Sequence, residues 1–324
     1  MHVLVAIYSP TEAWTIPPSF VDVLRRRFPG VTFSHAGDER ELLELIPPAD
    51  IVFSSVLTPA AFAAAPRLRW VHSPAAGVGG MLFPGMRESD VVLTNARGMS
   101  SVAVAEHAMA LVFSAWRRIP EAVRAQRATY WMQAELSRIP VLRGRTLGIV
   151  GLGAIGREIA RMASGVGLRV IGTRKASDAP VPAGVDEVFG PEQLDTLLAA
   201  SDVVVVAAPL TRETRGMIGA PQLAKMKKTA WLVNVARGKL VDQTALVAVL
   251  RAGAIAGAAL DVFEHEPLQA TSPLWKLPNV LITPHIAGFR DDYWEAATEM
   301  FAENLARFLA GEPLANVVAK HAGY

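Results

Sequence analysis

The glycine run Gly151-Leu152-Gly153-Ala154-Ile155-Gly156 follows the apolar segment Leu147 to Val150 and opens a helical pattern, Arg157 to Ala163. A strand before and a helix after are what a phosphate-binding turn needs. Gly151 permits the tight turn, Gly153 lets backbone approach a pyrophosphate, and Gly156 lets helix pack closely on strand. The helix N-terminus, entered at Ala154 and Ile155, adds unpaired N–H groups and the positive end of a dipole. The pattern predicts a dinucleotide site, against the plainer reading of a structural turn. The next strand runs Val170-Ile171-Gly172, followed by Thr173, and an NAD site normally ends it with Asp or Glu to hold the ribose hydroxyls. Here Arg174 and Lys175 follow instead. A guanidinium can grip a 2′-phosphate bidentately where a carboxylate would repel it. NADP(H) is therefore expected in preference to NAD(H), with two solvated surface charges as the alternative.

Three later segments each finish an expected strand with polar groups: Val233-Asn234-Val235-Ala236-Arg237-Gly238, Leu260-Asp261-Val262-Phe263-Glu264-His265-Glu266-Pro267, and Thr283-Pro284-His285-Ile286-Ala287-Gly288. Ligands of open α/β sheets bind at such strand ends. Taken singly, an Arg after a strand is usually a surface charge, and a lone His is more often structural than catalytic. The triplet Glu264-His265-Glu266 could suggest a metal site, but the chain has no cysteine and no HExxH spacing, so no metal is expected. His2, His35, His72, His107 and His321 have no partner pattern; His107, on an apolar helix, reads as a satisfied buried imidazole. Lys225, Lys227 and Lys228 read as a solvated turn.

The elements that must position these groups are legible as short Val-, Ile- and Leu-rich runs. They are Val3 to Ile7, Asp50 to Phe53, Trp70 to His72, Val91 to Thr94, Leu147 to Val150, Arg169 to Gly172, Asp202 to Ala208, Trp231 to Val235, Ala258 to Asp261 and Asn279 to Thr283. Continuous apolar runs suit parallel strands covered on both faces, and their alternation with helical patterns predicts an α/β protein of doubly wound sheets. Ser101 to Trp116 is a helix apolar almost all round, which must be buried between domains or subunits. A last helix from about Asp291 to Leu309 stops at Gly311, with Pro313 beyond. A length of 324 residues suggests two domains. Zero cysteines exclude disulfides, thiolate metal sites and cysteine nucleophiles. A net charge of +2 does not point to nucleic acid, no apolar run approaches a bilayer span, and Met1 to Pro10 lacks the marks of a signal peptide. A cytoplasmic enzyme is the expectation.

With these segments in view, the chain resembles the D-isomer-specific 2-hydroxyacid dehydrogenases. The glycine loop, Val233 to Gly238, Leu260 to Pro267 and Thr283 to Gly288 stand in that family's order and spacing. Gly98 to His107 resembles its crossover helix, and Ala76-Gly77-Val78-Gly79 its substrate loop. The resemblance covers most of the chain from about Trp70 onward. It implies a Rossmann cofactor domain, residues 99–286, inserted into a flavodoxin-like substrate domain made of residues 1–98 and 287–324, with a cleft whose closure excludes water. It also implies reversible reduction of a 2-keto acid to the D-2-hydroxy acid by hydride transfer from NAD(P)H, in the manner of glyoxylate and hydroxypyruvate reductases. Arg237 would clamp the substrate carboxylate and carbonyl, and His285 would act as general acid or base, since imidazole titrates near neutral pH. Glu266, the carboxylate just before Pro, would orient the imidazole and stabilise its charged form. Val78 and Gly79 would offer backbone N–H groups to the carboxylate. Asp261 would bond the nicotinamide carboxamide, with Pro209, Val235, Ala236, Thr173 and Gly288 beside the cofactor. Trp131 and Tyr293 are candidates for the pocket wall, or else core or interface aromatics. Beyond Gly79 the loop continues Gly80-Met81-Leu82-Phe83, where the family has polar residues, so this flank is expected to be more apolar. The apolar crossover helix suggests a homodimer. Two alternatives stand beside this reading: oxidation of formate or phosphite on the same fold, and a redox-sensing binding protein without turnover.

Overall fold

The continuous apolar runs form parallel strands, as residues hidden on both faces of a sheet must. In the computed structural model, which describes residues 1–10, 12–175 and 179–323, the chain divides into two compact units. One is Met1–Met99 with Arg290–Tyr324, and the other is Ser100–Phe289.

In the first unit, β1 (His2–Ala6), β2 (Thr32–His35), β3 (Ile51–Ser54), β4 (Trp70–Ser73) and β5 (Val92–Asn95) form one sheet. Its order is β2-β1-β3-β4-β5, with every pair parallel. Strands β1, β3 and β4 are buried almost throughout, so alternation is absent and both faces need cover. The terminal helix Tyr293–Ala310 covers one face: Phe301 stacks on Phe53 at 4.3 Å between ring centroids and on Trp70 at 5.4 Å. Burying each such aromatic contributes roughly 1.5–3 kcal/mol. The helix stops at Gly311, left-handed at φ 72°, and the chain returns to β5, where Val318 N–H donates to Leu93 O at 2.8 Å. Such a stop suits glycine, which carries no Cβ to clash in that conformation.

In the second unit, β6 (Thr146–Val150), β7 (Arg169–Thr173), β8 (Glu187–Phe189), β9 (Val203–Val206), β10 (Trp231–Asn234), β11 (Gly257–Leu260) and β12 (Val280–Ile282) form a seven-stranded sheet. The order is β12-β11-β10-β9-β6-β7-β8, again all parallel. β6 lies between β7 and β9, so the winding direction reverses beside it, where a doubly wound sheet opens a crevice at its carboxyl edge. The apolar helix Ser101–Trp116 lies in the core on one face, with Ala105, Ala108 and Val112 buried in one cluster with Ile159, Val203 and Val233. Its apolar character is thus explained within this unit for most of its length.

Two strands have no counterpart in the sequence reading: β2 (TFSH) and β8 (EVF). Both are sheet edges. An edge strand is short and partly wet, so it lacks the apolar run that betrays a central one.

Candidate active site

The ends of β10, β11 and β12 carry the three polar segments. Beyond β10, Asn234 staples the turn: its Oδ1 accepts Ala236 N–H at 3.1 Å and its Nδ2 donates to Arg237 O at 3.1 Å. Arg237 donates through one guanidinium nitrogen to Ala236 O at 2.6 Å. Arg237 keeps surface open to solvent, yet enough protein surrounds the guanidinium that desolvation holds its pKa below the ordinary value, opposed by the charge of Glu266. Gly238 follows, and a Cβ there would run into the backbone of Phe263 and Glu264. Only glycine lets the Arg237 turn and the Glu266 loop lie against each other.

Glu266 lies before a cis-proline, Pro267. Its Oε1 accepts the N–H of Phe263 at 2.8 Å, and its Oε2 lies 2.5 Å from His285 Nδ1. Desolvation pushes the carboxyl upward. It is outweighed by the bonds from His285 and Phe263 and by the charges of His285 and Arg237, which together hold Glu266 below the usual carboxylate range. Among the described residues His285 Nε2 has no partner, and the side chain is 48% exposed. One nitrogen is anchored by a carboxylate while the other is free to meet a reactant. The structure therefore brings Glu266, His285 and the charge of Arg237 together within one unit.

His285 has a left-handed backbone, φ 55°, uncommon for a residue with a Cβ. Asp261, 1% exposed at the end of β11, holds it there. The Asp261 carbonyl accepts His285 N–H at 2.8 Å, and its carboxylate accepts the N–H groups of Ile286 and Ala287, each at 3.0 Å, and the Thr283 hydroxyl at 2.6 Å. These bonds were not foreseen in the sequence, because they join segments whose approach only the sheet order dictates.

The glycine loop fits a dinucleotide. Gly151 has φ 104°, and a Cβ there would lie 2.7 Å from the backbone of Ala208; one at Gly156 would strike the Gly151 carbonyl. Gly153 precedes the helix Ala154–Gly165 with no side-chain cap, and its Cβ position faces open space. The first N–H groups of that helix, at Ala154, Ile155 and Gly156, are the donors a pyrophosphate would take. Thr173 closes β7 and is buried, as are Val235 and Ala236, while Pro209 is exposed and its carbonyl accepts the Thr214 hydroxyl at 2.7 Å. Gly288 lies beside Ser100, whose side chain would be 3.8 Å from a Cβ. Arg174 donates to the carbonyls of Pro180, at 3.0 Å, and Ala179, while its buried Nε has no partner among the described residues; Lys175 is exposed. Among the described residues no cluster of three or more His, Cys, Asp or Glu could hold a metal ion.

In the first unit, the loop after β4 is tied back by three consecutive carbonyls. Pro74 O accepts the Tyr293 hydroxyl at 2.9 Å, Ala75 O accepts Ala96 N–H at 3.2 Å, and Ala76 O accepts Asn95 Nδ2 at 2.7 Å. Among the described residues the N–H groups of Val78 and Gly79 are left without partners. Such a run of free amides makes a concavity for an anion. Tyr293, whose hydroxyl desolvation pushes up to about 12, braces this loop, with Trp14 edge-on at 5.4 Å. Asn95 escaped the sequence reading; a buried amide at a parallel strand end was its only signal. Trp131 is 85% exposed.

Comparison with known proteins gives one answer. The sequence model of the D-isomer specific 2-hydroxyacid dehydrogenase NAD binding domain matches residues 109–287. A glyoxylate reductase of Korarchaeum cryptofilum is 40% identical over 288 residues, 86% of each chain. A D-isomer specific 2-hydroxyacid dehydrogenase from Xanthobacter autotrophicus Py2, solved with NADPH and MES, superposes with a TM-score of 0.82 at 34% identity, covering 99% of each chain. An NADPH-dependent glyoxylate/hydroxypyruvate reductase from Sinorhizobium meliloti, solved with NADP and sulfate, gives 0.86 at 29% identity, with both chains fully covered.

Proposed function

The chain belongs to the D-isomer specific 2-hydroxyacid dehydrogenase family, NAD(P)-dependent oxidoreductases acting on CH–OH groups, and on that premise we propose that it reduces a small 2-keto acid to the D-2-hydroxy acid. The observation that carries this reading is the His285–Glu266 pair at 2.5 Å under the charge of Arg237. When bound, the nicotinamide supplies the hydride. His285, anchored through Nδ1, gives the proton on Nε2 to the carbonyl oxygen as that oxygen gains charge, and takes one back in the oxidative direction. Glu266 stabilises the imidazolium before transfer and fixes the ring's direction. Arg237 attracts the negative charge of the carboxylate and of the developing alkoxide. The free N–H groups of Val78 and Gly79 suit the carboxylate. A glyoxylate- or hydroxypyruvate-sized substrate fits the reading best, because relatives named for those substrates align over most of the chain.

Residues Gly151, Gly153, Ala154, Ile155 and Gly156 would hold the pyrophosphate, and Arg174 and Lys175 the 2′-phosphate, giving a preference for NADP(H). Arg174 must exchange its bonds to Ala179 and Pro180 for that phosphate. Asp261 would keep its amide donors and offer what capacity remains to the carboxamide. A homodimer is part of the proposal: between residues 113 and 141 the large apolar side chains of Phe113, Ile119, Val123, Tyr130, Trp131 and Val141 are all exposed, and a second copy of the chain would cover them. Trp131 then reads as an interface aromatic. Among the described residues no helix is long and apolar enough to cross a membrane; the reading places the enzyme in the cytoplasm.

The test is oxidation of NADPH and of NADH against glyoxylate, hydroxypyruvate, pyruvate, phenylpyruvate and branched 2-keto acids. His285→Ala is expected to lower kcat roughly 10²–10⁴-fold, the usual worth of a general acid. Arg174→Asp is expected to raise the KM for NADPH selectively. Tight NADPH binding without turnover of any keto acid would reject the proposal, and an unchanged NADPH KM would reject the role of Arg174.

A further inference from the structure

Resting on the reading of His285 as proton donor, we propose that His107 is a positioning residue for it, acting through Thr283 and Asp261. His107 stands on the buried helix Ser101–Trp116. Its Nε2 is 2.9 Å from Thr283 Oγ1 and 3.5 Å from Asp261 Oδ1. Thr283 Oγ1 is in turn 2.6 Å from Asp261 Oδ1.

Counting protons sets the direction of this chain. The carboxylate of Asp261 is acceptor-only, and already receives the N–H groups of Ile286 and Ala287. The one hydroxyl proton of Thr283 therefore points to Asp261. Thr283 Oγ1 must then accept from His107, which carries its proton on Nε2. The sequence of donors is His107 Nε2–H to Thr283 Oγ1–H to Asp261, and it ends on the amides that follow His285.

Those amides hold the unusual part of the site. His285, Ile286 and Ala287 all donate to Asp261, the first to its carbonyl and the other two to its carboxylate. Together they fix the left-handed backbone at His285, φ 55°. The amides take one carboxylate oxygen each, Ile286 N–H on Oδ1 and Ala287 N–H on Oδ2, and the Thr283 hydroxyl adds a third bond, on Oδ1. His107 holds that hydroxyl in turn, and the bonds polarise each other along the chain. His107 touches no reactant in this scheme. It keeps the imidazole of His285 aimed, and a misplacement of about 1 Å can cost on the order of 10²-fold in rate.

The experiment compares wild type with His107→Leu, His107→Gln and Thr283→Val. His107→Leu removes the donor; the amide of His107→Gln can replace Nε2–H. The expected result for His107→Leu is a fall in kcat of about 10–100-fold with unchanged KM for keto acid, largely rescued in His107→Gln. Two readouts do not involve turnover. Long-range ¹H–¹⁵N NMR should show the proton of His107 on Nε2. Amide exchange at Ile286 and Ala287 should quicken in His107→Leu and in Thr283→Val, and recover in His107→Gln. Thr283→Val reads the same chain if His107→Leu does not fold. A proton on Nδ1, or exchange at Ile286 and Ala287 that no variant alters, overturns the inference. Full kcat in His285→Ala would instead overturn the reading of His285 itself.

Discussion

His72 gives the first unit a built-in sensitivity to acid. It lies on β4, fully buried among Phe53, Trp70 and Phe301, with Nδ1 2.7 Å from the Thr94 hydroxyl. Nε2 has no partner among the described residues. Thr94 Oγ1 also accepts the indole N–H of Trp70 at 2.8 Å, so a charge on the imidazole would find little polar compensation. Burial accordingly lowers its pKa from 6.5 to about 3. The sign follows directly: a group depressed in the folded state binds fewer protons there than in the unfolded chain. Its contribution to stability is complete above the unfolded pKa and is lost as pH falls toward the folded one. With those two values the loss is about 2 kcal/mol at about pH 5 and about 3 kcal/mol at about pH 4. Against a typical total of about 5–15 kcal/mol, that is a large fraction.

The perturbation is His72→Asn, which cannot titrate. Urea unfolding of wild type and variant, at several pH values from about 8 down to about 5, isolates the effect. Any constant cost of the lost ring cancels in the comparison, as do the titrations the two proteins share. Wild type should lose about 2 kcal/mol relative to the variant over that range. A difference between the two proteins that is the same at every pH refutes the reasoning. So does an NMR signal of His72 that titrates above about pH 6 in the folded protein.

Tyr293→Phe removes one hydrogen bond from the loop at Pro74 while keeping the ring against Trp14. The KM for keto acid should rise several-fold with kcat and the KM for NADPH retained, in steady-state kinetics. Gly238→Ala forces a methyl group into the backbone of Phe263. It should cost at least about 1–3 kcal/mol in a chemical melt, and should lower kcat/KM even where the protein stays folded, because the Arg237 turn must shift from the Glu266 loop.

Central strands could be read in the sequence because burial on both faces leaves an unbroken apolar run, as in Val203–Val206. The helix Ser101–Trp116 was legible to its ends for the same reason. The glycine loop announced itself because Gly151 and Gly156 each sit where a side chain would meet backbone. Polar partners were harder. Nothing near Tyr293 in the chain tells that its hydroxyl binds Pro74, or that Arg174 folds back on Ala179 and Pro180. Composition distinguishes buried from wet, but a hydrogen bond depends on tenths of an ångström between segments far apart in sequence. His107 illustrates the limit. Its apolar neighbours predict a buried imidazole; the side chain is instead half-buried, 20% exposed, and its partners come from the ends of two strands more than a hundred residues away.

The second unit is entered and left at nearly one point. Within it, Gly288 lies beside Ser100, a Cβ there being 3.8 Å from the serine side chain; within the first unit, Arg290 donates to Met99 O at 2.7 Å. A segment whose two ends meet can be transplanted into another host with no change in the host's strand order, much as inserted domains are tolerated where termini are close. Redox machinery and the sheet that receives it can thus be inherited as separate pieces and recombined.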